Sequence, residues 1–326
     1  MEVDKLIVFE AFAGYGGASF GLKRSGLPFE VIGQSEIEPS AIKMLSTNFP
    51  SVQNFGNITN IAKMLDNNPD IIKPFNMFTG GFPCQPFSTA GLQMGDKDAK
   101  GRGTLIYDII RICKIKHPKY ILLENVRGFM AQKFDYIRNY LEEELNEYKF
   151  CYTKLNSKDF GVPQSRERVW IFGRLGGLPN GFSMTPDLSP APHLEKFLDK
   201  HPEESLYLSE KQIEHLKVKH NIPNFLVDRP ACLDIYNHKL KTNGLCITIT
   251  QPEHNGIRIV EKPRNGKEYV RKLSVPEQFR LMGFDVDNHE IIFPKDLTYS
   301  QLSSRAGNGW DVNLVGKILQ KIFSQL

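Results

Sequence analysis

The sequence lacks the long hydrophobic runs and the paired cysteines that mark several classes of protein. No apolar run approaches the roughly 18 residues of a membrane span, and the start MEVDKLIVFE has no signal-peptide character. The five scattered cysteines form no CxxC pair, and neither they nor the eight histidines show metal-ligand spacing. We therefore expect a soluble, cytoplasmic protein that is kept reduced and binds neither a membrane nor a metal.

Strong charge and internal repetition are also absent. The net charge is only +4 over 326 residues, which by itself does not indicate a nucleic-acid partner. The sequence contains no internal repeat and no low-complexity tract. A hydrophobic content of 40% is sufficient for a sizeable core, and we expect one large domain with a smaller one.

Strand patterns and helix patterns alternate in the first half of the chain. The predicted strands are KLIVFEA (5–11), FEVIGQS (29–35), FNMFTG (75–80), KYILLEN (119–125) and RVWIFGR (168–174). The predicted helices between them include GGASFGLKRSG, EPSAIKMLSTN and TLIYDIIRICKIKH. This alternation predicts an α/β fold with a mainly parallel sheet. After about residue 175 the pattern becomes irregular, and helical spacing returns in VPEQFRLMGF and VNLVGKILQKIF.

A glycine-rich turn follows the first predicted strand. In FEAFAGYGGASF, Gly14, Gly16 and Gly17 lie between a strand and a helix, where glycine permits a sharp turn and close approach of a ligand. Glu36 ends the next strand about 20 residues later, where a carboxylate can accept hydrogen bonds from ribose hydroxyls. The pattern indicates a nucleoside-bearing cofactor, and NAD, FAD and S-adenosylmethionine all fit it. A plain tight turn is the alternative.

A single cysteine lies in the stretch GGFPCQPFSTAG. Cys84 comes just after the third predicted strand, and ligands bind beyond the carboxyl ends of such strands. Its neighbours are turn-forming residues, and the following TAGLQMGDKDAKGRGT is typical of a mobile lid. These features favour a nucleophilic thiolate. Cys113 and Cys151, on predicted regular elements, are better explained as inert structural thiols.

Two further motifs place charged side chains at strand ends. In ENVRGF, Glu124 and Asn125 end a predicted parallel strand, and a carboxylate buried there tends to hold a proton near neutrality. In GVPQSRERVW, Arg166 and Arg168 alternate, so both should point to one side and bind a carbonyl oxygen or a phosphate. The alternatives are a helix-capping glutamate and a solvated edge strand.

Together these motifs resemble the bacterial cytosine-C5 DNA methyltransferases. The matching blocks, in the order of that family, are FAGYGG, GGFPCQPFS, ENV, QSRER, RKLSVPEQFRLMGF and AGNGW. The resemblance implies a Rossmann-like, S-adenosylmethionine-dependent methyltransferase sheet with a smaller, mostly irregular or β target-recognition lobe. We expect the catalytic domain at residues 1–185, completed by 304–326, the recognition domain at 186–272 and a hinge at 273–303.

The resemblance also implies the reaction and its catalytic residues. A methyl group would pass from S-adenosyl-L-methionine to carbon 5 of cytosine in a specific duplex DNA sequence, leaving S-adenosyl-L-homocysteine. Cys84 matches the nucleophile that adds to carbon 6, and Glu124 matches the acid that protonates ring nitrogen 3. Arg168 matches the arginine that contacts the cytosine carbonyl oxygen, with Arg166 supporting it. Carbon 6 is unreachable in a stacked duplex, so the base would be flipped out.

The cofactor residues follow from the same resemblance. Phe12 would pack on the adenine, the glycines would shape the methionine pocket and Glu36 would bind the ribose. The complete implied set is Phe12, Gly14, Gly16, Gly17, Glu36, Asn57, Ile58, Leu105 and Asn308. The family usually has GDIT where this chain has GNIT, so Asn57 replaces an aspartate that accepts from the adenine amino group. An amide carbonyl can accept the same bond.

A basic stretch supplies the expected DNA contacts. Residues 229–272 carry nine lysines and arginines against four acids, which favours phosphate contacts. The implied DNA-binding residues are Gln85, Ser88, Arg102, Thr248, Gln251, His254 and Asn255. Gln251, His254 and Asn255 are candidate base readers, although a solvated loop explains each of these three equally well. The expected partner is double-stranded DNA at the nucleoid, bound by a monomer, and a cognate restriction endonuclease would be a functional partner.

Three other functions share parts of this pattern. A nicotinamide-dependent oxidoreductase shares the glycine turn but does not need the PCQ, ENV and QxRxR motifs together. A catalytically inactive DNA-binding relative should have lost Cys84 or Glu124, and both are present. An RNA (tRNA) cytosine-C5 methyltransferase uses similar chemistry, but the basic stretch suits duplex DNA better.

Overall fold

The computed structural model describes residues 4–83, 105–222, 224–252 and 256–326. The chain divides into two compact units. The first unit comprises residues 1–155, 167–187 and 314–326, and the second comprises residues 156–166 and 188–313. The hinge predicted at 273–303 stays a prediction, and these residues lie in the second unit. Six predicted site residues lie outside the described residues: Cys84, Gln85, Ser88, Arg102, His254 and Asn255.

Strands and helices alternate along the described residues of the first unit, and the second unit also contains both. The strands are β1 (Leu6–Ala11), β2 (Phe29–Ser35), β3 (Met77–Gly81), β4 (Tyr120–Val126), β5 (Tyr148–Asn156), β6 (Gln164–Ser165), β7 (Glu167–Leu175), β8 (Ala231–Asp234), β9 (Lys239–Lys241), β10 (Cys246–Ile247), β11 (Ile257–Arg264) and β12 (Lys267–Arg271). The helices are α1 (Gly17–Ser25), α2 (Pro39–Asn48), α3 (Ile58–Asn67), α4 (Leu105–Lys116), α5 (Asp135–Glu144), α6 (Glu210–His220), α7 (Val275–Arg280), α8 (Tyr299–Asn308) and α9 (Val312–Phe323).

A six-stranded sheet forms the centre of the first unit. Its order is β2-β1-β3-β4-β7-β5; the pairs among β2, β1, β3 and β4 are parallel, whereas β7 runs antiparallel to β4. Strand β4 is a continuous apolar run because both faces of the sheet are covered. Ile121 and Leu123 pack into the main core with residues of α3, α4 and α5. On the other face, Tyr120 contacts Phe323 of α9 edge to face, with ring centroids 5.0 Å apart. The α/β prediction is confirmed.

The second unit contains a smaller antiparallel sheet. Its order is β12-β11-β8-β9, and α6 packs against it through a separate hydrophobic cluster. Strands β11 and β12 are joined at Asn265 and Gly266, which have φ angles of 50° and 73°. Left-handed backbone at an Asn-Gly pair is typical of a tight hairpin turn. This sheet agrees with the expected irregular or β character of the smaller lobe, whereas helix α6 was not predicted from the sequence. Within the described ranges, no helix is both long and apolar enough to cross a membrane.

Candidate active site

The glycine corner, residues 12–17, connects the end of β1 to the start of α1. Phe12, Gly14 and Gly16 have φ angles of 52°, 60° and 93°, which favour glycine at the last two positions. A Cβ atom on Gly16 would lie 2.5 Å from the ring of Phe49, so any side chain here would force that ring to move. A Cβ on Gly14 would meet nothing within 4 Å. The backbone at Gly14 therefore borders open space that a ligand can occupy.

Glu36 is held against the glycine corner. Its carboxylate accepts the backbone N–H of Gly14 at 2.8 Å, and those of Ile37 and Glu38 at 2.8 and 2.9 Å. A carboxylate has about four acceptor positions, so three donors fix its orientation and leave capacity for a hydroxyl. This geometry fits the ribose contact expected of Glu36, which stays a prediction.

A second carboxylate, Glu10, lies beneath the glycine corner and was not among the predicted site residues. It is buried and accepts hydrogen bonds from Ser19, from the N–H of Ala18 at 2.8 Å and from Gln34 at 3.2 Å. Burial raises the pKa of Glu10 above its ordinary value, and the hydrogen bonds offset part of that increase. The sequence signal that could have pointed to Glu10 is an acidic side chain inside the apolar run of β1. Its contacts join α1 to β2.

The starts of α3 and α4 are tied together near the expected adenine-binding residues. Asn57 caps α3 by accepting the N–H of Thr59 at 2.9 Å, and the Thr59 hydroxyl donates to Asp108 at 2.6 Å. Asp108 lies in the first turn of α4, which Leu105 begins. The side chain of Ile58 is buried in the core, and Leu105 packs against the same core while remaining partly exposed.

Glu124 and Arg168 form an ion pair where β4 and β7 meet. Arg168 Nε donates to Glu124 Oε1 at 2.9 Å, and the two side chains are only 16% and 12% exposed. They meet because β4 and β7 pair antiparallel, with Val126 opposite Arg168. Gly81, the last residue of β3, lies opposite Glu124. The pair therefore lies at the carboxyl ends of β3 and β4, where parallel sheets bind ligands.

Asn125 connects the ENV motif to the segment that leads to Cys84. Its buried side-chain amide donates to the carbonyl oxygen of Phe82 at 3.4 Å, and Phe82 packs edge to face on Phe129. These contacts fix the backbone just before Pro83. Cys84 is the next residue of the chain and lies outside the described residues.

In the second unit, Arg166 is buried and its donors are bound to backbone carbonyl oxygens. The guanidinium donates to Ile249 at 3.1 Å, to Gly307 at 3.2 Å and to Gly309 at 2.7 Å. The sequence predicts that Arg166 and Arg168 serve one pocket. Arg168 has a carboxylate partner, and Arg166 holds three backbone carbonyl groups in place. The expected role of the two arginines at one pocket stays a prediction.

The segment expected to read DNA packs closely on the AGNG motif. Thr248 donates its hydroxyl to the carbonyl oxygen of Ser165 at 2.6 Å, and Gln251 donates to Asn308 Oδ1 at 3.2 Å. A Cβ atom on Gly307 would lie 2.5 Å from the carbonyl oxygen of Thr250, so glycine is required for this approach. The structure thus brings Gln251, a candidate base reader, into contact with Asn308, a candidate cofactor residue.

Among the described residues, no group of three or more His, Cys, Asp or Glu side chains could hold a metal ion.

Comparison with known proteins assigns this arrangement to a family. The family model for C-5 cytosine-specific DNA methylases matches residues 6–324. The chain belongs to this family. The recognition of the family from its motifs is confirmed.

Individual methylase relatives agree with this assignment. The type II methyltransferase M.NgoBV of Neisseria gonorrhoeae is 30% identical over 84% of this chain and 65% of its own length. The chain thus spans just under two thirds of that relative. M.HaeII of Haemophilus aegyptius is 31% identical over 97% of this chain and 92% of its own length. Among solved structures, S. pombe Dnmt2 methyltransferase shares the fold, with a TM-score of 0.73, 17% identity and coverage of 98% and 99% of the two chains.

Proposed function

We propose that this methylase-family protein transfers a methyl group from S-adenosylmethionine to carbon 5 of cytosine in duplex DNA. The Glu124–Arg168 pair is the observation that carries the proposal. It lies at the carboxyl ends of two parallel strands, and β3 leads within three residues to Cys84. An acid, a fixed cation and a thiol that follow the ends of neighbouring strands are the groups needed to add a nucleophile to an electron-poor ring.

The residues of the first unit fit the cofactor. The open backbone at Gly14 admits a ligand, Glu36 is oriented to accept from ribose hydroxyls, and Phe12 offers an aromatic face for adenine. Asn57 retains acceptor capacity beyond its bond to Thr59, because an amide oxygen has two lone pairs. When bound, S-adenosylmethionine supplies an electrophilic methyl group.

Each proposed catalytic residue has a distinct task. Cys84, as the thiolate, adds to carbon 6 of the extruded cytosine, while Glu124, in its protonated form, gives a proton to ring nitrogen 3. Arg168 orients Glu124 and contacts the carbonyl oxygen of the ring. The resulting enamine makes carbon 5 nucleophilic, and S-adenosylmethionine, when bound, would supply the methyl group to it. Loss of the carbon 5 proton to solvent water, expulsion of the Cys84 thiolate and return of the nitrogen 3 proton to Glu124 would then restore the aromatic ring.

The second unit supplies the DNA contacts in this proposal. Its basic stretch at 229–272 binds phosphates, while Thr248, Gln251, His254 and Asn255 lie in the segment that selects the sequence. Gln85, Ser88 and Arg102 hold the flipped nucleotide. The protein acts as a monomer at the nucleoid, and a cognate restriction endonuclease is its functional partner.

Methyl transfer to different nucleic acids tests the proposal. The purified chain is incubated with tritium-labelled S-adenosylmethionine and either unmethylated bacterial DNA or unmodified tRNA. We expect label in the DNA, as 5-methylcytosine, and background counts in tRNA. Label in tRNA alone would replace the proposal with the RNA reaction, and label in neither would contradict it.

A further inference from the structure

Two cysteines of the second unit lie in contact inside the protein. Cys232 in β8 and Cys246 in β10 are both fully buried, and neither is in a disulfide. Their sulfur atoms share a hydrogen bond and are 3.8 Å apart. A disulfide requires a sulfur separation of about 2.05 Å. Rotation of one or both side chains would have to bring the two sulfur atoms about 1.75 Å closer together.

The surroundings make the two thiols unequal. The hydrogen bond shared with Cys246, the N–H of Ile247 and nearby Lys241 lower the pKa of Cys232, against the effects of burial and of Asp234. The same hydrogen bond and burial raise the pKa of Cys246. Cys232 is thus the more acidic of the two thiols.

A bond between the two cysteines would link two parts of the second unit. Cys232 pairs with Ile259 of β11, so it belongs to the four-stranded sheet. Cys246 lies opposite Gln164 in the β6–β10 pairing, and Gln164 accepts the N–H of Ile249 at 2.9 Å. A covalent bond would therefore join the sheet to the segment that carries Thr248 and Gln251.

We propose that Cys232 and Cys246 are a site of reversible disulfide formation, with hydrogen peroxide as the oxidant. The Cys232 thiolate attacks one peroxide oxygen and forms a sulfenic acid, and the departing hydroxide takes a proton to become water. The Cys246 sulfur then attacks the Cys232 sulfur, and a second water leaves. Overall, two thiols and one peroxide give one disulfide and two waters. A dithiol reductant reverses the bond by exchange.

Peptide mapping of the full-length protein tests this site. The protein is treated with hydrogen peroxide, remaining thiols are alkylated, and the products of a non-reducing protease digest are identified by mass spectrometry. We expect a peptide pair linked through Cys232 and Cys246 that dithiothreitol separates. The Cys151→Ser control should still form it, and Cys232→Ser should not. Free, alkylated Cys232 and Cys246 in the treated wild type, or linkage of either to another cysteine, would overturn the proposal.

Thermal unfolding gives a second measurement that does not depend on activity or on Cys84. The bond would close a loop of about 15 residues and restrict the unfolded chain, which should raise the unfolding midpoint by about 5 °C. Dithiothreitol should reverse the increase, and neither Cys232→Ser nor Cys246→Ala should show it on peroxide treatment. An oxidised wild type with an unchanged or lower midpoint would contradict the proposal.

Discussion

At the scale of single residues, the candidate site depends on side chains that are distant in sequence. Glu124 and Arg168 could each be selected from a motif, but their 2.9 Å contact depends on the pairing of β4 with β7. Glu10, by contrast, could not be selected from a motif. It is a buried acid with a raised pKa, yet nothing in its motif distinguishes an acid that binds a ligand from one that joins α1 to β2.

Glu124→Gln tests the proposed proton donor. The amide keeps the size of the side chain but cannot donate the proton of a carboxylic acid, so the methyl-transfer rate should fall by about 10²–10⁴-fold. Binding of S-adenosylhomocysteine, measured by calorimetry, should be unchanged. Glu143→Gln, at an exposed position of α5, is the matched control and should keep full activity. A Glu124→Gln protein with wild-type turnover would rule out the assigned role.

Glu10→Gln tests the buried carboxyl through pH. Because the pKa of Glu10 is raised by burial, its stabilising contribution is complete below the ordinary pKa near 4.5 and is lost as pH rises through the folded-state pKa. The free energy of unfolding of the variant, measured in urea over a pH series, should therefore increase relative to that of the wild type as the pH rises above the ordinary pKa of 4.5. Glu30→Gln should give a small difference of opposite sign, because Lys5 lowers the pKa of exposed Glu30. A pH-independent difference for Glu10→Gln would contradict this account.

At the scale of elements, local chemistry explains both the correct predictions and the missed ones. Helix α1 ends at Gly26 in the left-handed conformation, and α2 begins at Pro39, as the sequence predicts. Helix α6 was missed although Ser209 and Gln212 form a capping box, because its apolar face is too weakly patterned to indicate a helix. The hairpin between β11 and β12 has an equally local signal in Asn265–Gly266.

Gly16→Ala tests the glycine corner as the start of α1. The alanine must adopt a positive φ angle and also overlap Phe49, so the free energy of unfolding should fall by about 2–4 kcal/mol. Gly26→Ala is the control, because it has a positive φ but open space around its Cβ. It should cost about 1 kcal/mol. Equal effects in chemical denaturation would show that the contact with Phe49 is unimportant.

Arg166→Met tests whether this arginine supports backbone rather than substrate. Three carbonyl oxygens lose a buried charged donor, so the free energy of unfolding should fall by about 3 kcal/mol. Arg229→Met removes an exposed ion pair with Glu195 and should change stability by less than about 0.5 kcal/mol. A stable Arg166→Met protein that has lost turnover would place Arg166 at the substrate instead.

At the scale of the whole molecule, the sequence predicts the family and the α/β class, but it does not predict the complete strand order. β7 lies between β4 and β5 and runs antiparallel to β4, an arrangement set by contacts between distant segments. The motif blocks predict catalytic roles for Cys84, Glu124 and Arg168, because the proposed chemistry restricts those residue types. The positions that read DNA cannot be selected in this way, because many polar side chains can contact a base edge.

Covalent trapping tests the central claim most directly. A duplex in which every cytosine is replaced by 5-fluorocytosine is incubated with the protein and S-adenosylmethionine, then denatured and digested. Fluorine cannot leave carbon 5 as a proton does, so elimination of the thiolate is blocked. The account predicts a denaturation-resistant DNA adduct on the peptide that contains Cys84, and none with Cys84→Ser. An adduct on another residue, or no adduct with a wild-type protein that methylates ordinary DNA, would contradict it.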